Sequence, residues 1–296
     1  MYNPLVSVVI PTHGGAKFLT RAIDSVLAQT YKNIEIIVVD DNGLGTEEQR
    51  ATEAVIKPYL NNPKFQYVTH EVNKNGSAAR NTGARHSKGD FISLLDDDDY
   101  FLSDNIENHM KAWEHLDDAY GMTTCDVQLH YSNGSVKVKH KSIRGKDLYA
   151  LLMHKIVIGS GTMVVRKRVW EDLNGFDESF KRHQDFEFSA RVMAKYNVWA
   201  TKTVGECCIR VGRHSPKNTP LAIEYRQHYI EKMKPLMSAL SYFQKQRVIA
   251  WNMGEAAWPY FKDKQFVSFF KVMAQNGIYL SSLWVIYRRF LNAKGL

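Results

Sequence analysis

The strongest constraint on the fold is a pair of short β-branched runs, residues 5–10 (LVSVVI) and 34–39 (IEIIVV), set apart by a stretch with a different period. Runs that are apolar nearly throughout suit strands buried on both faces. Between them Phe18, Ala22, Ile23, Val26 and Leu27 recur at helical spacing. Strand, helix and strand in that order make a βαβ unit, and so a parallel sheet. The rhythm then repeats, with a helix expected over 46–60, a strand over 65–68, a helix over 77–86 and a strand over 91–95. Residues 1–100 therefore read as the nucleotide-binding half of an α/β domain.

Beyond it a helix over 104–116 leads into a strand and antiparallel hairpin around 123–138, where Ser132-Asn133-Gly134 supplies the turn. A strand at 162–165, a helix over 185–196 and a strand near 208–211 complete a mixed, mostly parallel sheet. The expected organisation is a domain over 1–215, with 101–215 as its second half, and a helical region over 216–296. In the last helix Tyr279, Leu283, Ile286, Tyr287 and Phe290 line one face, with Arg288 and Arg289 on the other. Such a face suits docking on the main domain, a homodimer interface or an anionic membrane surface.

Composition narrows the class. With 296 residues, 44% hydrophobic and 24% charged, the chain is globular rather than disordered or collagenous. No stretch approaches a membrane span, the N-terminus lacks a signal peptide's pattern, and three cysteines make no disulfide framework. A cytoplasmic location, with peripheral contact at the inner face of the cell membrane, is the expectation. The net charge of +8 is unevenly placed: residues 1–205 carry 25 basic and 26 acidic side chains, residues 206–296 carry 14 and 5. That excess points to a polyanionic partner of the tail.

Four constellations carry chemistry. Asp96 to Asp99 follow directly on a buried strand, and like charges so close are costly unless a cation sits there. In an extended chain Asp96 and Asp98 point to one side and suit Mg²⁺ or Mn²⁺ held with a substrate phosphate. A solvated turn capping the next helix is the alternative. Asp40-Asp41 end the second strand, where a carboxylate can meet a base or ribose, or else form a turn with Asn42-Gly43. Asn73 to Asn81 run into a helix whose Gly76 and Ser77 amides can meet an anion, with Arg80 to clamp a phosphate. There is neither a P-loop nor a GxGxxG. Asp185 opens a helix, as an ordinary first-turn acid or as a general base.

In this order, VSVVIPTHG, AIDSVLAQTYKNIEIIVVDD, NGSAARNTG, KGDFISLLDDDDYFLSDNIE and GFDESFKRHQDFEFSAR resemble the inverting, family-two glycosyltransferases of GT-A fold, over residues 5–212. The resemblance implies a nucleotide-diphosphate sugar donor, often a UDP-sugar, with Mn²⁺ or Mg²⁺. Pro11, Thr12 and Asp41 match positions lining base and ribose, and Arg80 a nucleotide-contacting arginine. Asp96-Asp97-Asp98 matches the DXD motif, Asp98 as metal ligand and Asp96 nearer the ribose, while Asp185 matches the base. His214 matches a second metal or diphosphate ligand of some relatives, or is a surface histidine. His13-Gly14 and Gln184 depart from the family's usual residues, and QxxRW of processive relatives lacks its Trp here, so one sugar is expected to be added, to a glycan or lipid-linked acceptor, with residues 101–215 implied as the acceptor half. A catalytically inactive nucleotide-sugar binder is the nearer rival. A basic nucleic-acid module rests on charge alone, and no nucleic acid is expected as partner.

Overall fold

The computed structural model describes residues 2–209, 219–278 and 282–293. They fall into two compact units, Met1–Lys146 with Val157–Arg213 and Asp147–Ile156 with His214–Leu296. The stretch 147–156 thus leaves the first domain in which the residue pattern put it. Asn252 Nδ2 holds the Leu152 carbonyl at 2.9 Å, which ties that stretch to the C-terminal helices.

The first unit begins β1 (Val6–Thr12), α1 (Ala16–Leu27), β2 (Ile34–Asp40), α2 (Glu47–Ile56), β3 (Phe65–Thr69), α3 (Gly76–His86) and β4 (Phe91–Leu94). It continues through β5 (Tyr100–Phe101), α4 (Asn105–Trp113), β6 (Tyr120–His130), β7 (Val136–Lys139) and β8 (Arg144–Gly145). After α5 (Leu148–Leu152), which belongs to the second unit, come β9 (Met163–Arg166), α6 (Lys167–Asp172), α7 (Gln184–Lys195) and β10 (Asn197–Ile209).

These strands form one sheet in the order β3-β2-β1-β4-β9-β6-β10-β5, with β7 beside β6 and β8 beside β10. β1, β2, β3 and β4 are parallel, β9 runs antiparallel to β4 and β6, and β6 and β10 are parallel again. The two apolar runs are buried along their length, as both-face coverage demands. In α1 the inward residues are Leu19, Ala22, Ile23 and Val26, while Leu27 is exposed, so the core stripe sits one residue away from the expected one at its edges. β10 is much longer than the strand expected near 208–211, because Thr201, Lys202 and Thr203 break the apolar pattern where the register to β6 shifts. β1 has β2 on one side and β4 on the other, which makes the carboxyl ends of β1 and β4 the switch point where ligands enter such sheets.

The second unit packs α8 (Thr219–Met233), α9 (Tyr242–Lys262), α10 (Phe266–Gln275) and α11 (Ser282–Ala293) with α5. α9 starts on a capping box in which Ser241 and Gln244 satisfy each other's amides. Its core joins Met253, Ala257, Phe269, Met273 and Val285. On the α11 face read for docking, dimerisation or membrane contact, Leu283 and Tyr287 are 66% and 59% exposed while Ile286 packs against the core, and Val285, outside that face, is buried. Gly254 explains the rotation, since a Cβ there would lie 2.4 Å from a Val285 methyl. Arg289 is likewise not on an opposing solvent face; it pairs with Glu255 and lies over the Trp251 and Trp258 rings. Tyr279 lies outside the described residues. No described helix is long and apolar enough to cross a membrane.

Candidate active site

Several chain segments meet at the switch point. The loop after β1 carries Gly14, whose amide donates to Asn42 Oδ1 at 2.7 Å, and Gly15, which opens α1. A Cβ on Gly15 would sit 1.9 Å from Asp97 Oδ2, so the absence of a side chain lets that carboxylate tuck in. Burial pushes Asp97 up to about 6; Thr12 and the His13 backbone oppose the shift, and the Asp96 and Asp98 charges add to it.

Asp41, just past β2, is a buried hub. Its carboxylate accepts from His70 Nδ1 at 2.7 Å, the Lys74 and Asn75 amides at 2.8 and 2.9 Å, and Asn73 Nδ2 at 3.0 Å. The loop 73–75 is thereby fixed ahead of α3. Asn75, at φ 98°, caps that helix by accepting from the Ser77 and Ala78 amides. This corrects the expectation that the start of α3 offers the Ser77 amide to an anion, because the cap already occupies it.

One turn into α3, Arg80 joins the two halves of the site. Nη2 donates to Asp96 Oδ1 at 2.6 Å and Nη1 to Gln184 Oε1 at 2.9 Å. Ser160, in the 3-10 turn Ser160–Thr162, lies 3.4 Å from Arg80 Nη2 and 3.3 Å from Asp96 Oδ1. β4 ends at Leu94, and the Asp99 amide closes a turn on the Asp96 carbonyl at 3.1 Å. Asp96 and Asp98 therefore come together through a turn rather than through an extended strand. With Asp99 they bring three carboxylate oxygens within 4.8 Å of one another. An all-oxygen anionic set of this kind fits a hard divalent cation. Arg21 Nη2 holds the Asp98 carbonyl at 2.5 Å and so pins the turn.

α7 brings the remaining acids. Asp185, half-buried in its first turn, has its pKa raised by burial; the Phe186 amide and Arg80 oppose that, and Asp96 reinforces it. Glu187 faces the other way, buried in a pair with Arg191, whose guanidinium also holds the Leu173 and Gly175 carbonyls. Beneath the Ser160 turn, buried Lys141 donates to Thr162 Oγ1 at 2.7 Å and Thr124 Oγ1 at 3.2 Å. A cavity of about 270 Å³ runs over Arg80, Ser160, Gln184 and Asp185. Another, of about 380 Å³, is lined by Pro11, Thr12, Asp41, Asn73, Arg80, Asp96, Asp97 and Asp98. Arg80 borders both.

The candidate residues Pro11, Thr12, Asp41, Arg80, Asp96, Asp97, Asp98 and Asp185 are thus gathered at one switch point. His214 lies outside the described residues. Gly15, Arg21, Ser160 and Lys141 carry no signal in the sequence, being isolated small or basic side chains with no motif of their own, and Gln184 is marked there only as a departure from the family pattern.

Residues 7–173 match the family model described as glycosyl transferase family 2. An uncharacterised glycosyltransferase of Rickettsia prowazekii (strain Madrid E) is 31% identical over 235 residues, 77% of this chain and 70% of the relative. The Escherichia coli protein named UDP-Glc:alpha-D-GlcNAc-diphosphoundecaprenol beta-1,3-glucosyltransferase WfgD is 26% identical over 206 residues, 68% of this chain and 74% of its own length. The crystal structure of S. aureus TarS 1-349 in complex with UDP-GlcNAc aligns with a TM-score of 0.68 and 16% identity, covering 92% of this chain and 80% of that one. The chain belongs to glycosyl transferase family 2 and has the GT-A fold.

Proposed function

We propose that the protein moves one sugar from a nucleotide-diphosphate donor, a UDP-sugar first among them, to an acceptor hydroxyl with inversion at the anomeric carbon. The position of Arg80 carries the reading: it links the carboxylate turn that suits a metal diphosphate to the segment bearing Asp185. Asp185 accepts the proton of the acceptor hydroxyl as its oxygen bonds to the anomeric carbon, and the sugar's bond to the diphosphate breaks on the opposite face. The raised Asp185 pKa suits such a base, because it holds the proton better than an ordinary aspartate. Asp98, with Asp96 and Asp99 beside it, would hold Mn²⁺ or Mg²⁺, which when bound neutralises charge on the departing diphosphate. Pro11, Thr12, Asp41 and Asp97 wall the nucleotide, and Arg80 lies where the phosphates leave. A panel of nucleotide sugars tested with and without Mn²⁺ checks this, since a ligand that binds only the folded chain raises its melting temperature. The donor that stabilises should then release its nucleoside diphosphate. Stabilisation by none of them defeats the reading, and stabilisation without turnover favours an inactive binder.

A lipid-linked glycan is the acceptor class proposed, supported by the diphosphoundecaprenol acceptor in the name of the E. coli relative. Contact with the inner face of the membrane accords with it. In the second unit Phe266 and Val267 are 46% and 84% exposed, and Lys262, Lys264 and Lys271 around them are exposed as well. Apolar side chains ringed by lysines suit an anionic lipid surface. Vesicles rich in phosphatidylglycerol should bind the chain and lose it when those lysines become glutamates; equal binding to neutral vesicles removes this part of the proposal, and self-association through Leu283 and Tyr287 is then the next occupant to test.

A further inference from the structure

The two cavities that share Arg80 have linings of opposite charge. The larger holds four carboxylates, Asp41, Asp96, Asp97 and Asp98, against the single arginine. The smaller holds Arg80, Lys181 and Arg182 against one carboxylate, Asp185. Arg80 is committed to Asp96 and Gln184. Lys181 and Arg182 are exposed, and neither has a hydrogen-bond or ion-pair partner among the described residues. The acids nearest them in the chain are engaged elsewhere: Asn81 Nδ2 donates to Glu178 Oε1 at 2.9 Å, the Ser179 amide donates to Asp177 Oδ1 at 2.9 Å, and Glu187 is held by Arg191.

These two cations stand on a fixed backbone. Phe180, just before them, is 1% exposed, and its carbonyl accepts from Ser77 Oγ at 3.4 Å. Asn75 Nδ2 holds the Glu178 carbonyl at 3.0 Å, which fastens the same turn to the head of α3. Gln184, just after them, is held by Arg80. Residues 181–183 alone span these anchors, and His183 takes a left-handed φ of 64° to turn the chain into α7. Such backbone persists at a residue other than glycine where its surroundings fix it. Ordering the backbone is then no part of the cost when an anion meets the turn. The diphosphate of the donor finds its countercharge at the carboxylate turn, where the divalent cation would sit. The basic wall lies instead beside Asp185, where the acceptor hydroxyl must stand.

We propose that Lys181 and Arg182 grip an acidic group of the acceptor, a phosphate or a carboxylate, carried on or next to the sugar whose hydroxyl is attacked. This rests on the nucleotide-sugar reading above. Ligand-observed NMR titrations of the full chain test it, with the donor site filled by Mg²⁺ and the nucleoside diphosphate that binds. Three probes share one ring: glucose 1-phosphate, glucuronic acid and glucose. At least one of the two acids should bind about tenfold or more tightly than glucose, the scale of one hydrogen bond to a charged group. The double variant Lys181→Gln, Arg182→Gln should erase that preference with melting and nucleotide affinity unchanged, since both side chains are exposed. Preference for the phosphate identifies an acceptor whose attacked sugar is still joined to a phosphate-bearing carrier. Preference for the carboxylate identifies a uronate-containing glycan. Equal binding of all three probes, or binding of none, overturns the proposal, and so does an acid preference that survives in the double variant. A double variant that loses the nucleoside diphosphate as steeply as the acid assigns the wall to the donor and overturns it too. A wild type that binds no nucleoside diphosphate overturns the nucleotide-sugar reading itself, a result distinct from all of these.

Discussion

Two acids on one helix turn, Asp185 and Glu187, should respond in opposite ways to removal of their charge. Glu187 is 4% exposed at its side chain and pairs through both oxygens with Arg191. Neutralising one partner of such a buried pair costs about 3–5 kcal/mol, because the other charge stays behind. Arg191 also braces the Leu173 and Gly175 carbonyls of the turn that precedes α7, so Glu187→Gln loosens the approach to Asp185 as well. For a unit of this size each kcal/mol moves the melting temperature by roughly 2–4 °C, which predicts a fall of roughly 6–20 °C. Asp185 is in the reverse situation. Burial and the Asp96 charge disfavour its anion, opposed by the Phe186 and Asp185 backbone amides and by Arg80. Asp185→Asn relieves that penalty and forfeits about 0.3–1 kcal/mol of favourable helix-dipole interaction, so its melting temperature should match or exceed that of wild type. Its donor turnover should fall by about 10²–10⁴, the usual contribution of a general base. Scanning calorimetry and nucleoside diphosphate release on both variants settle the matter. Unchanged melting with lost turnover in Glu187→Gln, or near-normal turnover in Asp185→Asn, would refute the assignment.

Asp98→Ala should abolish the Mn²⁺-dependent part of donor binding, seen as a titration that no longer responds to chelator; a variant that still gains affinity from Mn²⁺ places the cation elsewhere. Gly15→Ala should displace the Asp97 carboxylate, since its Cβ would lie 2.4 Å from Asp97 Cγ. Because Asp97 is already disfavoured as an anion where it lies, melting should change little while nucleotide affinity falls several-fold; equal affinity would show that Asp97 forms no part of the site. Burial, with Lys141 adding, pushes His109 down to about 3. The folded chain thus binds this proton less readily than the unfolded one, so the stability present above about pH 6.5 drains away as pH falls toward 3, at about 1.4 kcal/mol per unit. His109→Asn should flatten that slope in urea titrations between pH 6.5 and 4, and an unaltered slope contradicts the account.

What could be read from residues alone follows from where the physics is local. β1, β2 and β4 are legible because both faces are covered, so nearly every position is apolar; even Glu35 in β2 is held by Ser7 and the Lys88 amide. The two-residue strands β5 and β8 have no such signature, being defined by their pairing to β10. The same division holds at the site. Four consecutive aspartates stand out as a candidate cation site in the sequence itself, whereas Ser160 and Gln184 acquire meaning only from Arg80, which lies far away in sequence.

Asp41 and α11 show a subtler limit. In each the residue pattern marks the element but leaves open which way its side chains face, since orientation is set by neighbours that carry no pattern. His70 and the 73–75 amides claim the Asp41 carboxylate, and the missing side chain of Gly254 draws Val285 inward while Leu283 and Tyr287 turn out. The basic excess of residues 206–296 is subject to the same correction. Arg226 is buried, donating to Asn252 Oδ1 at 2.9 Å, and Arg289 is paired with Glu255, so neither contributes a free charge to the surface. The lysines at 262, 264 and 271 keep theirs exposed. A polyanion met by the described part of this unit is therefore expected at the turn between α9 and α10, rather than along the arginine-bearing helix that the sequence singles out.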